Sequence, residues 1–119
     1  MTPETFNTFC QSLTATTHVV QWGGADVWKV GGKVFAIGGE IDGGFYAFRF
    51  KTSEMTFEAL RDHPDCRPAP YLASRGLKWI QIWRQESIEN AEIKDLIRAS
   101  YDMIAAALPK KTQKALGLT

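Results

Sequence analysis

Cysteine is scarce in this chain: Cys10 and Cys66 are the only two among 119 residues, so no disulfide framework can hold the fold together. Long apolar runs are missing too. The longest uncharged one, Met103 to Leu108, is far too short to span a bilayer. The opening residues, Met-Thr-Pro-Glu-Thr-Phe, lack the basic start and apolar stretch of a signal peptide, which makes the cytosol the expected location and reduced thiols the expected state of both cysteines. A surplus of either charge is also absent, since 14 Lys and Arg against 13 Asp and Glu leave a net charge of +1 that argues neither for nor against nucleic acid. What is present suits one globular domain over residues 1–119, with 110–119 as a basic tail: 45% of residues are hydrophobic and 12% aromatic, enough for a core without a metal.

Signatures of nucleotide chemistry fail on spacing. The stretch KVGGKVFAIGG (29–39) holds two glycine pairs and a lysine, but Gly32-Lys33 leads into Val34 and a β-rich run rather than into Ser or Thr and a helix, so it is neither a phosphate-binding loop nor a dinucleotide fingerprint. Gly31-Gly32 between two apolar runs predicts a hairpin with a type I′ turn. Cys10, His18, His63 and Cys66 do not have the spacing of a zinc knuckle. His63 and Cys66 flank Pro64, which favours a cap or loop role over thiol catalysis. The carboxylate pairs Asp62/Asp65 and Glu89/Glu92 read as charges at helix ends, and no Gly-x-Ser-x-Gly elbow occurs. No nucleophile, base and oxyanion site come together, so the expectation is a protein that is not an enzyme and carries no cofactor or metal.

The predicted order of elements is α-β-β-β-α-β-α. Thr2, Pro3 and Glu4 open a helix of about 3 to 14 with Phe6, Phe9, Cys10 and Leu13 on one face. His18 to Trp22 is a short edge strand or an extended loop. Asp26 to Val30, Lys33 to Ile37 and Phe45 to Lys51 make a three-stranded antiparallel meander. Thr52 or Ser53 caps a second helix that ends before Pro64. Pro68 and Pro70 make Arg67 to Gly76 an ordered loop, because they remove backbone donors. Trp79 to Trp83 is a fourth strand, Asn90 caps the longest helix, with Ile93, Leu96, Ile97, Tyr101, Ile104 and Leu108 as its stripe, and Pro109 stops it. A polar tail with room for a short helix follows.

Charge is unevenly distributed along the chain. Residues 67 to 84 hold Arg67, Arg75, Lys78 and Arg84 with no acid, between acidic segments carrying Glu54, Glu58, Asp62 and Asp65 before and Glu86, Glu89, Glu92 and Asp95 after. Lys110, Lys111 and Lys114 add a second basic stretch. Basic residues interleave with aromatics: Lys29, Lys33, Arg49 and Lys51 on the meander, then Arg67, Tyr71, Arg75, Lys78, Trp79 and Arg84. Such cations reach phosphates, and rings stack on bases or pack beneath sugars; the plainer reading is solvated charge over core tryptophans.

The combination Trp28-Lys-Val-Gly-Gly-Lys-Val-Phe-Ala-Ile37, Lys51-Thr-Ser, Arg67-Pro-Ala-Pro-Tyr-Leu72 with Lys78-Trp79, Leu96-Ile-Arg-Ala-Ser-Tyr101 and Leu108-Pro-Lys-Lys111 resembles the MmcQ/YjbR family of small bacterial proteins. The resemblance implies a two-layer α+β fold like that of secretion chaperones and frataxin-like CyaY, an antiparallel sheet with helices packed on one face. It further implies DNA binding through a double-wing arrangement, in which hairpins and loops grip the duplex. By analogy the wings are the Gly31-Gly32 turn with Lys29 and Lys33, and the loop from Arg67 to Lys78. The expected DNA-binding residues are therefore Lys29, Lys33, Arg67, Tyr71, Arg75, Lys78 and Trp79. Where many relatives have an Asn-Lys-x-His-Trp type sequence before the fourth strand, this chain has Ala73-Ser-Arg-Gly-Leu-Lys-Trp79, without the histidine. Two other readings stay open: a protein-interaction module using an exposed sheet face or edge, and a small-molecule site in the Arg67 to Trp79 loop, for which a deep pocket would speak.

Overall fold

Local signals set the helices. In the computed structural model, which describes residues 1–119, the Thr2 hydroxyl accepts the Thr5 N–H at 3.1 Å and Pro3 occupies the first turn of α1 (Pro3–Ser12). Ser53 likewise caps α2 (Glu54–Leu60). The longest helix, α3 (Asn90–Ala106), is capped by Glu89 rather than by Asn90, through a reciprocal box in which the Glu92 carboxylate reaches the Glu89 N–H. After Pro109 a short α4 (Lys110–Ala115) completes the chain. No helix is long and apolar enough to cross a membrane.

The sheet is antiparallel throughout and has six strands, β1 (Thr16–Gln21), β2 (Ala25–Val30), β3 (Lys33–Glu40), β4 (Tyr46–Lys51), β5 (Cys66–Pro68) and β6 (Trp79–Ile82), in the order β1-β2-β3-β4-β6-β5. The two-layer α+β architecture matches the expectation, and the sheet is larger by two strands. Thr16–Gln21 is a full edge strand, so the meander has four strands, and the start of the 67–76 stretch pairs with β6 instead of running as loop. Pro68 is compatible with that pairing because β5 is the other edge. The Ala69 N–H bonds the Trp79 carbonyl at 2.9 Å, so the nitrogen one residue earlier points out of the sheet.

Gly31 and Gly32 form the β2–β3 turn with φ of +57° and +78°, the left-handed pair that a type I′ hairpin needs. Further along, β3 carries a bulge: Val34 faces Lys29 and Ala36 faces Trp28, so Phe35 has no cross-strand partner. The Ser100 hydroxyl of α3 donates to the Phe35 carbonyl at 2.7 Å and accepts the Lys51 N–H at 2.9 Å, satisfying backbone groups of both β3 and β4.

The main core lies between the sheet and α1 and α3. Phe6, Phe35, Phe48, Phe50, Ile80, Ile82, Ile93 and Ile97 are fully buried there, each phenylalanine worth about 1.5–3 kcal/mol of transfer free energy. Gly38 is required by this packing, because a Cβ would stand 2.3 Å from the Tyr46 hydroxyl and 2.6 Å from the Phe6 ring. The other face of the sheet has no helix. Its small second cluster, Val27, Ile37, Ala69 and Trp79, is buried, with the partly buried Ala25, Val34 and Leu72 packed against it; residues 69–78 beside it include a single 3₁₀ turn at Ala73–Arg75.

Candidate functional site

Alternation along the strands decides what the helix-free face presents. On β4, Phe48 and Phe50 point into the core, so Arg49 and Lys51 point the other way. On β2 the same rule places Lys29 beside Val27 on the open face, and on β6 it places Gln81 beside Trp79. Cross-strand pairs then align Ile37 with Arg49, Arg49 with Gln81 and Gln81 with Arg67. Lys29, Arg49, Lys51 and Arg67 therefore share one face, and none of them forms an ion pair.

Arg49 sits where three adjoining hollows meet. One is an apolar groove of about 460 Å³, walled by Trp22, Val34, Ile37, Tyr71, Leu72, Leu77 and Trp79. Another is a polar hollow of about 570 Å³ that adds Arg67, Gln81, Trp83 and Asp42; it shares Arg49 and Pro70 with the groove. Burial, and after it the positive charge of Arg67, disfavour the Arg49 cation relative to an exposed guanidinium. Arg67 Nε donates to Gln81 Oε1 at 2.6 Å, and its guanidinium lies 5.5 Å from the Trp83 ring. Gln81 is fully buried and its Nε2 has no hydrogen-bond partner. Because Arg67 only donates, its bond fixes which end of the Gln81 amide is oxygen and leaves the unpaired end as a donor.

Six of the seven residues expected from the sequence lie on or around this face, and Lys78 does not. Arg67 and Lys29 lie on it, Trp79 is 8% exposed and floors the groove, and Tyr71 stands at its rim 85% exposed with φ +68°. Lys33 is exposed at the β2–β3 tip and Arg75 on the 3₁₀ turn. Lys78 is turned towards the helix layer, its Nζ 4.9 Å from the Phe57 ring. The basic residue Arg84 is occupied: Nε donates to the Pro64 carbonyl at 2.8 Å and Nη1 pairs with Glu86 at 2.9 Å. Gln81 and Trp22 escape a reading of charge and spacing, since one is neutral and the other reaches the groove only because φ of +53° turns it there from the end of β1.

The remaining titratable groups tie the fold together. Burial works against ionisation of Asp65, but the N–H groups of Ile88, Ser87 and Glu86 and the Ser87 hydroxyl outweigh it and hold the carboxyl down to about 2. At the other end of the sheet, Asp26 accepts from Tyr46, His18 (2.7 Å) and Asn7 (3.3 Å), while Trp28 Nε1 donates to Asn7 at 2.8 Å. Cys10 and Cys66 are buried in the core, and burial pushes both thiols up, Cys66 to about 11.

Comparison with known proteins places this geometry among relatives. A family model described as YjbR matches residues 11–103. The chain is 27% identical over 89 residues to the Escherichia coli O157:H7 protein YbdF, described as uncharacterized, covering 75% of this chain and 71% of that one. Among solved structures, Deinococcus radiodurans protein DR2400, with a domain described as DUF419, superposes with a TM-score of 0.84 at 22% identity, covering 99% of this chain and 89% of that one. A Pseudomonas syringae protein solved by a structural-genomics consortium gives 0.70 at 19% identity, covering 87% of this chain and 99% of that one. At these identities the two structures speak for the fold alone.

Proposed function

The chain belongs to the YjbR family, and from that premise we propose that it is a DNA-binding protein without enzymatic chemistry, which applies the helix-free face of its sheet to the phosphate backbone. The observation that carries this reading is the set of four cations, Lys29, Arg49, Lys51 and Arg67, on one face with no carboxylate paired to any of them. The β2–β3 hairpin with Lys33 and the 69–78 segment with Arg75 flank that face as the two wings. No helix lies on it to enter a major groove, so contacts are to phosphates and little sequence preference is expected.

Fluorescence anisotropy with a labelled 20-base-pair duplex tests the reading. About four neutralised phosphates imply a slope near 3.6 against log salt, so affinity falls about 100-fold between 50 and 200 mM salt, from a dissociation constant of about 10⁻⁵ M. The paired substitution Lys29→Glu with Lys51→Glu lowers that slope by about half or more. Binding weaker than about 10⁻⁴ M at low salt, or affinity indifferent to salt, sinks the proposal. A second reading has its own support: Val19 and Val20, 38% and 58% exposed, lie on the unpaired edge of β1, where an extended protein segment would add a strand. A nuclease-resistant complex that Val20→Lys disrupts would favour it.

A further inference from the structure

We propose that the helix-free face also holds a site for a small amphipathic carboxylate, its anionic group received by Arg49, Arg67 and the Gln81 amide and its apolar body seated in the groove edged by Trp22 and Tyr71.

Three donor side chains line one hollow, and its one carboxylate, Asp42, pairs with none of them. Arg49 makes no hydrogen bond or ion pair although it is half-buried, and a second guanidinium is close enough for its charge to act on it. Two such cations side by side, partly removed from water, are unfavourable until an anion joins them. The Gln81 amide nitrogen is the second, independent sign. It belongs to a fully buried side chain, lines the polar hollow and has no partner, an arrangement that costs stability unless something in the hollow accepts its hydrogens. Planar guanidinium donors match a carboxylate in two-point geometry.

The charge count favours one negative charge over two. Asp42 lines the polar hollow with both arginines, and Glu40 lines the third hollow with Arg49 and Trp22; neither pairs with an arginine, and they offset the two positive charges, Asp42 bringing the surplus to about one and Glu40 lowering it further. The adjoining groove supplies the rest of the chemistry. Seven of its nine lining residues are hydrophobic, three of its walls are the rings of Trp22, Tyr71 and Trp79, and about 460 Å³ lies within the usual range for small-molecule sites. Arg49 and Pro70 belong to both hollows, so a molecule with its head at Arg49 has its body in the groove.

This site does not rest on the DNA reading, and its test separates the two. Tryptophan fluorescence of the full chain is titrated with 2-naphthoate and with octanoate, and each is repeated with the matching primary amide. The carboxylates are expected to saturate with dissociation constants below about 1 mM and to bind at least tenfold tighter than the amides, a difference of about 1.4 kcal/mol. Arg49→Met removes that tenfold preference while leaving amide binding in place, and Arg49→Lys restores part of it. Circular dichroism confirms that both variants keep the fold. Equal binding of acid and amide, no saturation below 10 mM, or an Arg49→Met variant as selective as the parent each overturn the assignment. So does a nucleoside monophosphate that binds tighter than either carboxylate and is equally sensitive to Arg49→Met, since the site would then be a phosphate site. Failure of the duplex to bind leaves the carboxylate result standing, and the reverse also holds.

Discussion

Ser100 shows how one small side chain holds two layers together. It is fully buried, and its hydroxyl serves both the Phe35 carbonyl and the Lys51 N–H. Ser100→Ala strands both groups and is expected to cost about 2–3 kcal/mol in urea unfolding, more than a surface serine would. Asp65 acts in the same manner with a charge. Its folded pKa lies below the ordinary carboxylate value, so its contribution is complete above about pH 4 and is lost as pH falls towards 2. Thermal midpoints measured from pH 6 to pH 2 should therefore fall steeply below pH 4 in the parent, and Asp65→Asn should start lower and vary less. Neither role was legible in the sequence. Ser100 looks like any polar residue on a helix, and Asp65 reads as a helix-end charge until the 86–88 backbone is seen folded around it.

Among the elements, those with a strong internal period were legible and those defined by a neighbour were not. The Phe6 and Cys10 face of α1, the glycine-paired hairpin, the Tyr46, Phe48, Phe50 alternation of β4 and the Ile93, Ile97, Tyr101 stripe of α3 follow from their own residues. β1 is exposed on most of its length and so carries no clear alternation, while β5 exists only through its ladder with β6. The candidate site inherits this division. Its cations were visible as charges, but the groove depends on the 69–78 segment crossing the sheet, which no local pattern encodes. The hairpin offers an element-level test: Gly31→Ala puts a Cβ 2.6 Å from Leu108 at φ +57°, and a loss of about 2–3 kcal/mol is expected, against the left-handed backbone strain alone, about 1 kcal/mol, at Gly32 of the same turn, where φ is +78° and a Cβ meets nothing within 4 Å.

At the scale of the whole molecule the sheet divides the protein into a packed side and an open side. Cys10 and Cys66 both lie on the packed side, Cys10 on the buried face of α1 and Cys66 at the start of the edge strand β5. With burial raising both thiols, little thiolate is present at pH 8, so maleimide labelling should require unfolding for both cysteines, and Cys66 should label ahead of Cys10 only if the β5 edge opens by itself. The groove on the open side owes one of its walls to the unpaired residue in β3. Val34 and Ile37 are three apart, a separation that in an unbroken strand sends side chains to opposite sides, yet both line the groove. The extra residue shifts the phase of the pleat between them, so Phe35 and Ala36 both turn to the helices while their neighbours on either side turn outward. Deleting Phe35 would therefore trim the packed side and keep both groove residues outward.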